Sequence, residues 1–373
     1  MNATVSNWSE SEGTLSFTLS NADVSVANAL RRTILSDIPT VVFRTAPHDK
    51  SKANIEVNTG RLNNEIIKQR LSCVPIHTYG LDIPIQDYIA ELDVANETGS
   101  MMYVTTEDFK VKNKATGKYI SEANLRHLFP PDPITQDFII LARLRPRISS
   151  NEPGETLKLS CDFDVGTAKE NGAFNVVSLC AYGNTLDRSA SATALSQKLK
   201  EAKKDGTSKE DLEIIQKNWD HLEGKRHFIK NSFDFSIKSI GVYPNIHILQ
   251  LACLQLKKRI QRFDELLDTA GDDIIQTSES TMSNSFDITM KGEDYTLGKL
   301  LEFTIYNTFY NGTEGTLSYC GFRKPHPHID ESIIRIAFLS EDGISKSDAL
   351  SVMKTSCRKA LEVIEKLTTE LSD

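Results

Sequence analysis

Residues 21–40 read NADVSVANALRRTILSDIPT, and the rest of the chain is organised around this stretch. Val26, Leu30, Ile34 and Ile38 recur every four positions, with Ala27 beside the first, which predicts one apolar stripe of an amphipathic helix. Asp23 or Ser25 can accept hydrogen bonds from the unpaired N–H groups at its start. Pro39 ends it, because the residue before a proline is pushed out of the helical region. Arg31 and Arg32 lie about 100° and 200° round the helix from Leu30, off the stripe. Such a pair fits either a solvated basic face or a surface that docks a partner's carboxylates through rigid, two-toothed guanidinium groups.

The composition bounds the chain. Its 373 residues suffice for two or three domains, and 39% hydrophobic with 25% charged residues is ordinary for a globular protein. No apolar run approaches the ~18–20 residues that span a bilayer, and the first residues lack signal-peptide character, so the expected location is intracellular with no membrane partner. A net charge of −8 argues against a direct grip on nucleic acid, which needs a basic footprint. Six cysteines are scattered without a C-x-x-C pair, which fits neither a disulfide framework nor a zinc site. His326 and His328 flank a proline and read as a turn rather than a ligand pair.

Along the chain, residues 14–19 alternate Leu15, Phe17 and Leu19 with polar neighbours, which predicts a half-buried strand leading into the helix. A second strand is expected over 41–44. Leu62, Ile66, Ile67 and Leu71 fall at helical spacing within NTGRLNNEIIKQRLSCVPIHT (58–78). Residues 190–226 are polar and helix-prone, a solvated helical excursion. Alternation returns at 233–244, with Phe233, Phe235 and Ile237 on one face. Then Ile246, Leu249, Cys253, Leu256, Ile260, Phe263 and Leu267 form a heptad seam on a long helix. Residues 271–285 are small, polar and acidic, and read as a linker.

After it the plan repeats. Phe286, Ile288 and Met290 alternate, and Leu297, Leu300, Leu301 and Ile305 mark an amphipathic helix that Asp294 or Thr296 can cap. Ile334, Ile336 and Phe338 share a strand face. Leu350, Met353, Cys357, Ala360, Ile364, Leu367 and Leu371 repeat the seam. Each half thus runs strand, helix, strands, long helix, a divergent internal duplication. Neither seam has an obvious cover in its own half, and the other half's helices are the simplest one.

NALRRTILSDIPT resembles the signature of the α-like subunits of cellular RNA polymerases, the family of bacterial α and the third-largest subunit of eukaryotic polymerase II. The run at 58–78 resembles that family's next block. FIILARLRP (138–146) and GETLKLSCDFDVGTAKENGAFNVVSLCAYGN (154–184) resemble its inserted β-rich domain. GEDYTLGKLL (292–301) and GFRKPHPHIDESIIRI (321–336) resemble the small α-like subunit, the eleventh of polymerase II, with Tyr295 in place of the family's histidine and Lys299 in place of its asparagine. The resemblance covers about 14–267 and 286–371.

The resemblance implies an α+β fold: two α-like dimerisation domains packed as an intramolecular pseudo-dimer. The first (1–44 with 228–270) carries an inserted β-rich domain (45–227), and the second spans 286–373. It implies dimerisation through Val26, Leu30, Ile34, Ile246, Leu249, Cys253, Leu256, Ile260 and Phe263, together with Leu297, Leu300, Leu301, Met353, Cys357, Ala360, Ile364 and Leu367. It implies docking of a large subunit by Arg31 and Arg32. The implied function is non-catalytic: an assembly platform for the largest and second-largest polymerase subunits, which also meets small tenth-subunit-like and zinc-ribbon subunits and touches DNA and RNA only through the complex. No cofactor is expected. One chain holding both halves resembles the arrangement of large nucleocytoplasmic DNA viruses, which implies viral transcription in the host cytoplasm and, by extension, the virion.

Two other classes compete. An enzyme could be built in the inserted domain on Asp162, Asp164 and a histidine, although no phosphate-binding glycine loop, H-E-x-x-H or G-x-S-x-G is present. The same dimerisation fold could serve a stand-alone DNA-binding transcription factor, against which the acidic balance counts.

Overall fold

The structure, a computed structural model, describes residues 3–147, 149, 153–312, 315–340 and 343–371. In chain order, β1 (Thr4–Ser11), β2 (Thr14–Ser20), α1 (Val24–Ser36), β3 (Thr40–Phe43), β4 (Ala53–Asn58) and α2 (Asn64–Ser72) come first. Then follow β5 (Tyr88–Ala95), β6 (Met102–Thr105), β7 (Lys110–Asn113), α3 (Glu122–Leu128), β8 (Ile140–Leu144), β9 (Thr156–Gly166) and β10 (Val177–Leu186). The helices α4 (Arg188–Lys204) and α5 (Lys209–His221) precede β11 (Phe228–Ser239) and the long α6 (Asn245–Ile274). The chain ends with β12 (Ile275–Thr277), β13 (Ser285–Lys291), α7 (Tyr295–Ile305), β14 (Leu317–Arg323), β15 (Glu331–Phe338) and α8 (Lys346–Glu370). The fold is α+β.

Two compact units emerge. One comprises Met1–Thr33, Leu179–Lys238 and Leu249–Asp373, the other Ile34–Ser178 with Ser239–Ile248. These bounds differ from the expected division at 44/45 and 227/228. Strand pairing explains the difference: β3 is hydrogen-bonded to β9 in the second unit, and β10 lies in the β1-β2-β11-β10 sheet of the first.

In the first unit, β2 and β11 are antiparallel with Phe17 opposite Phe235, their rings stacked at 5.0 Å. Leu15, Phe17, Leu19, Phe233, Phe235 and Ile237 are all buried, as period-two alternation requires. The second sheet, β12-β13-β15-β14, sets Phe286 opposite Ile336 and Ile288 opposite Ile334. Residues 271–285 are therefore not a bare linker: α6 runs to Ile274 past a kink at Ala270, and β12 pairs with β13. The expected helical excursion forms as α4 and α5, mostly exposed. It is pinned by the buried Trp219, whose Nε1 donates to Ser191 Oγ at 3.0 Å.

The two long helices run side by side in opposite directions. Cys253 on α6 meets Thr368 on α8, and Lys257 Nζ donates to Glu365 Oε1 at 2.7 Å. Further along α6, Asp268 pairs with Lys354, and a Cβ on Gly271 would lie 3.4 Å from Leu350 Cδ1. Each step towards the C-terminus of α6 is thus a step towards the N-terminus of α8. Leu249, Cys253, Leu256, Ile260, Phe263 and Leu267 are buried on α6, as are Met353, Cys357, Ala360, Ile364, Leu367 and Leu371 at the α8 end. Leu350 is only half-buried, and Ile246 departs from the seam altogether: at 40% exposed it stands on the first turn of α6, while Ile248 and Ala252 take buried places the heptad did not assign.

The second unit holds β3-β9-β5-β7 with β4 also paired to β9, and a separate β6–β8 pair. Phe43, Phe109, Phe129 and Phe163 cluster in its core, with Phe43–Phe163 centroids 5.2 Å apart. The helix expected within 58–78 forms as α2, capped by Asn63, whose side chain accepts from the Ile66 N–H, and buries Ile67 and Leu71. Ile66 points outward at 40% exposed.

Candidate protein-docking site

On α1, the apolar stripe is buried throughout: Val26, Ala27, Leu30 and Ile34, with Ile38 just beyond the helix end, are each no more than 2% exposed. Asp23 provides the cap, its Oδ1 accepting from the Ser25 N–H at 2.8 Å. The two arginines then diverge. Arg31 folds back on its own helix, where Nε and Nη2 donate to Asn28 Oδ1 at 3.2 and 2.9 Å. Arg32 reaches across to the start of α7, where Nε donates to Thr296 Oγ1 and Nη2 to Asp294 Oδ2, both at 2.8 Å.

Asp294 is the hub of this contact. It caps α7, Oδ1 accepting from the Thr296 N–H at 2.9 Å, and the same oxygen accepts from Arg259 Nη2 at 3.0 Å. Arg259 Nε also donates to Glu293 Oε2 at 2.5 Å. Arg259 and Glu293 are largely buried, with side chains 14% and 13% exposed. Burial alone pushes the Asp294 carboxyl up. The Thr296 N–H, Arg259, the Thr296 hydroxyl and Arg32 outweigh it and hold the group well below the usual carboxylate range.

A carboxyl with a lowered folded-state pKa stabilises the fold above its unfolded value of about 4 and loses that contribution as pH falls through the folded value. The melting difference between wild type and Asp294→Asn should accordingly be largest at neutral pH and shrink below about pH 4. A difference that stays constant from pH 7 into the acid range would exclude Asp294 as an ionised hub.

On α7, Leu297, Leu300, Leu301 and Ile305 are buried. Gly298 is dictated by close approach: a Cβ there would lie 2.0 Å from the Phe322 ring. Asp294, Thr296, Glu293 and Arg259 are the residues that reading the sequence missed as a polar junction. Asp294 and Thr296 were legible only as caps. The adjacent acidic pair Glu293–Asp294 before a helix start, and a charged residue next to a seam position, were the available signals.

The carboxylates offered for chemistry in the second unit are engaged structurally. Asp164 accepts from Arg44 Nε at 2.5 Å and pairs with Lys52 at 3.2 Å, and Asp162 pairs with Lys114 at 3.2 Å. Cys161, Cys180, Cys253, Cys320 and Cys357 have thiols pushed up to about 12 by burial, so they stay protonated at neutral pH and pack as small apolar groups. His326 and His328 lie in the turn between β14 and β15, the His328 N–H donating to His326 Nδ1 at 3.1 Å.

Among the described residues no three His, Cys, Asp or Glu side chains are grouped as a metal cage. Elemental analysis of the purified chain should find zinc well below one per molecule, and stoichiometric zinc would contradict this. No described helix is long and apolar enough to cross a membrane.

The profile of the RNA polymerase Rpb3/Rpb11 dimerisation domain matches residues 16–260. A Dictyostelium discoideum protein, DNA-directed RNA polymerases I and III subunit rpac1, is 26% identical over 276 residues, covering 65% of this chain and 76% of its own length. The Pyrococcus horikoshii DNA-directed RNA polymerase subunit Rpo3 is 24% identical over 286 residues, covering 70% of this chain and 97% of its own. The Schizosaccharomyces pombe DNA-directed RNA polymerase II subunit RPB3 is 26% identical over 177 residues, 46% of this chain and 56% of its own. The profile takes in the α1 stripe, both arginines and most of the α6 seam, and it covers well over half of the sequence. The chain belongs to the RNA polymerase Rpb3/Rpb11 dimerisation family.

Proposed function

We propose that this chain is a non-catalytic assembly subunit of a multisubunit DNA-directed RNA polymerase, and that its two halves form a pseudo-dimer within one molecule. The observation that carries the reading is the junction at Asp294, where α1 and α6 of the first half converge on the capping residue of α7 in the second. The antiparallel course of α6 and α8 supports it, since each seam then has the other half as cover. The buried apolar residues of α1, α6, α7 and α8 are the dimerisation surface in this reading. Residues 45–178 are the core of the inserted β-rich domain.

The platform joins the largest and second-largest polymerase subunits and meets tenth-subunit-like and zinc-ribbon subunits, while DNA and RNA contact it only through the complex. Large-subunit docking falls chiefly on Arg31, because the Arg32 guanidinium already engages Asp294 and Thr296. A fused arrangement of the two halves supports a large nucleocytoplasmic DNA virus as the source of the polymerase, with the host cytoplasm as its place of action.

A protease site placed in the 278–284 loop and cut in the folded chain tests the pseudo-dimer. The two fragments should elute together, because the interface and not the tether holds them. Fragments that separate in dilute buffer would sink the shared-core reading. The competing reading, a stand-alone DNA-binding factor, predicts a gel shift by the isolated chain that the net charge of −8 opposes.

A further inference from the structure

The internal duplication has an unequal pair of junctions. Set on their capping aspartates Asp23 and Asp294, residues 21–35 and 292–306 also match Leu30 with Leu301, Thr33 with Thr304 and Ile34 with Ile305. The caps are made alike, Asp23 Oδ1 holding the Ser25 N–H at 2.8 Å and Asp294 Oδ1 the Thr296 N–H at 2.9 Å. In this register Ser25 takes the place of Thr296, and Phe303 takes the place of Arg32.

At the Asp294 junction the arginine of α1 binds both the carboxylate and the hydroxyl. At the corresponding Asp23 position, α7 offers a half-buried phenyl ring instead. A cleft of about 470 Å³ opens there, its lining including Asp23, Val24, Ser25, Glu302, Phe303 and Tyr306. Among the described residues Asp23 forms no ion pair, and Ser25 Oγ is buried without a hydrogen-bond partner, whereas its counterpart Thr296 Oγ1 accepts from Arg32.

The wall adds a second carboxylate, since Glu302 stands where the duplication has Arg31 in α1. Glu302 Oε2 is held by Lys299 at 2.5 Å and Oε1 by the Phe322 N–H at 3.1 Å, so Lys299 on the rim is already engaged. Val24 and Tyr306 are 52% and 41% exposed beside the opening and supply an apolar and an aromatic surface. A buried hydroxyl without a partner costs free energy that a donor would recover, and a carboxylate beside it favours a charged donor. A planar guanidinium meets all three demands at once: two donors for two acceptors, a positive charge, and a face for an aromatic ring.

We propose that this cleft is a docking site for an arginine side chain of a partner protein, which takes the position that Arg32 fills at the Asp294 junction. Only the identity of the partner as another subunit of the same complex rests on the polymerase reading. The site itself is testable on the isolated full-length chain.

The probe is N-acetyl-arginine methylamide, followed by the backbone amide signals of Asp23 and Ser25. It should shift them saturably with half-saturation on the order of 1–10 mM, the affinity of a single side-chain contact. The citrulline counterpart, isosteric but uncharged, should produce no saturable shift. Asp23→Asn, which retains the cap but removes the charge, should abolish binding, and Phe303→Arg should do so by supplying the guanidinium from within. Absence of saturation with arginine, equal binding of citrulline, or full binding by Asp23→Asn would overturn the site. In the assembled complex, a photo-crosslinking residue at Val24 should label an arginine-bearing segment of another protein. Labelling confined to a segment without arginine, or to a second copy of this chain, would overturn the proposed occupant. Saturable binding by a chain that co-purifies with no polymerase subunits would uphold the site while refuting the polymerase reading.

Discussion

Ile260→Asp should destabilise the chain by about 3–5 kcal/mol, the cost of an uncompensated charge in a buried setting. Ile260 is 0% exposed on α6 and lies between the Lys257–Glu365 and Asp268–Lys354 ties to α8, where an inserted carboxylate has no water to reach. Domains are stable by only about 5–15 kcal/mol, so the variant should be largely insoluble or should unfold at much lower urea than wild type. Ile260→Leu keeps the volume and should cost less than about 1.5 kcal/mol. Urea titration followed by circular dichroism measures both. An aspartate variant within 1 kcal/mol of wild type on that order-of-magnitude scale would mean that the seam is not closed.

Arg31 and Arg32 should separate into two roles when replaced by alanine. Arg32→Ala removes two hydrogen bonds at the Asp294 junction and should lower the stability of the isolated chain by about 1.5–3 kcal/mol, the range for bonds to charged groups. Its side chain is 35% exposed, which puts the expected value at the lower end. Arg31→Ala loses hydrogen bonds only within its own helix and should leave that stability within about 0.5 kcal/mol. In assembly the order reverses: Arg31→Ala should weaken capture of the large subunit by about 2–5 kcal/mol, the cost of stripping one partner from a buried interfacial charge. The double variant should show both losses. Thermal melting of the isolated chains, with pull-down of the large subunit, distinguishes the two. An Arg31→Ala chain that assembles like wild type places Arg31 on a solvated face.

The parts of this fold that sequence patterning anticipated are those in which one residue's neighbours along the chain decide its environment. The four-residue stripe of α1 and the alternation of β2 and β11 were legible because burial of one face imposes a period. The α6 and α8 seams were legible for the same reason, except at Leu350, which is half-buried, and at Ile246, where the first turn of α6 buries Ile248 on a different face. The strand β1, with sequence TVSNWSES, has no apolar period and is mostly exposed. It exists through pairing with β2, interrupted by an irregularity between Ser6 and Ser9. β12 is three residues long and equally silent.

The polar junction was out of reach for a different reason. Arg32 and Asp294 are 262 residues apart, and nothing local to either says that they meet. Local pattern marks Asp294 as a cap, which it is; the fold adds the two guanidinium groups. The unit boundaries moved because β3 and β10 are claimed by sheets whose other strands lie far away in sequence.

The most direct measurement of the central claim is native mass spectrometry, with peptide identification, of what co-purifies with an affinity-tagged copy of the full chain expressed at its natural level. The account predicts one copy of this chain in a complex with the largest and second-largest subunits of a DNA-directed RNA polymerase. Recovery of the chain alone, as a homodimer, or with partners unrelated to transcription would contradict it.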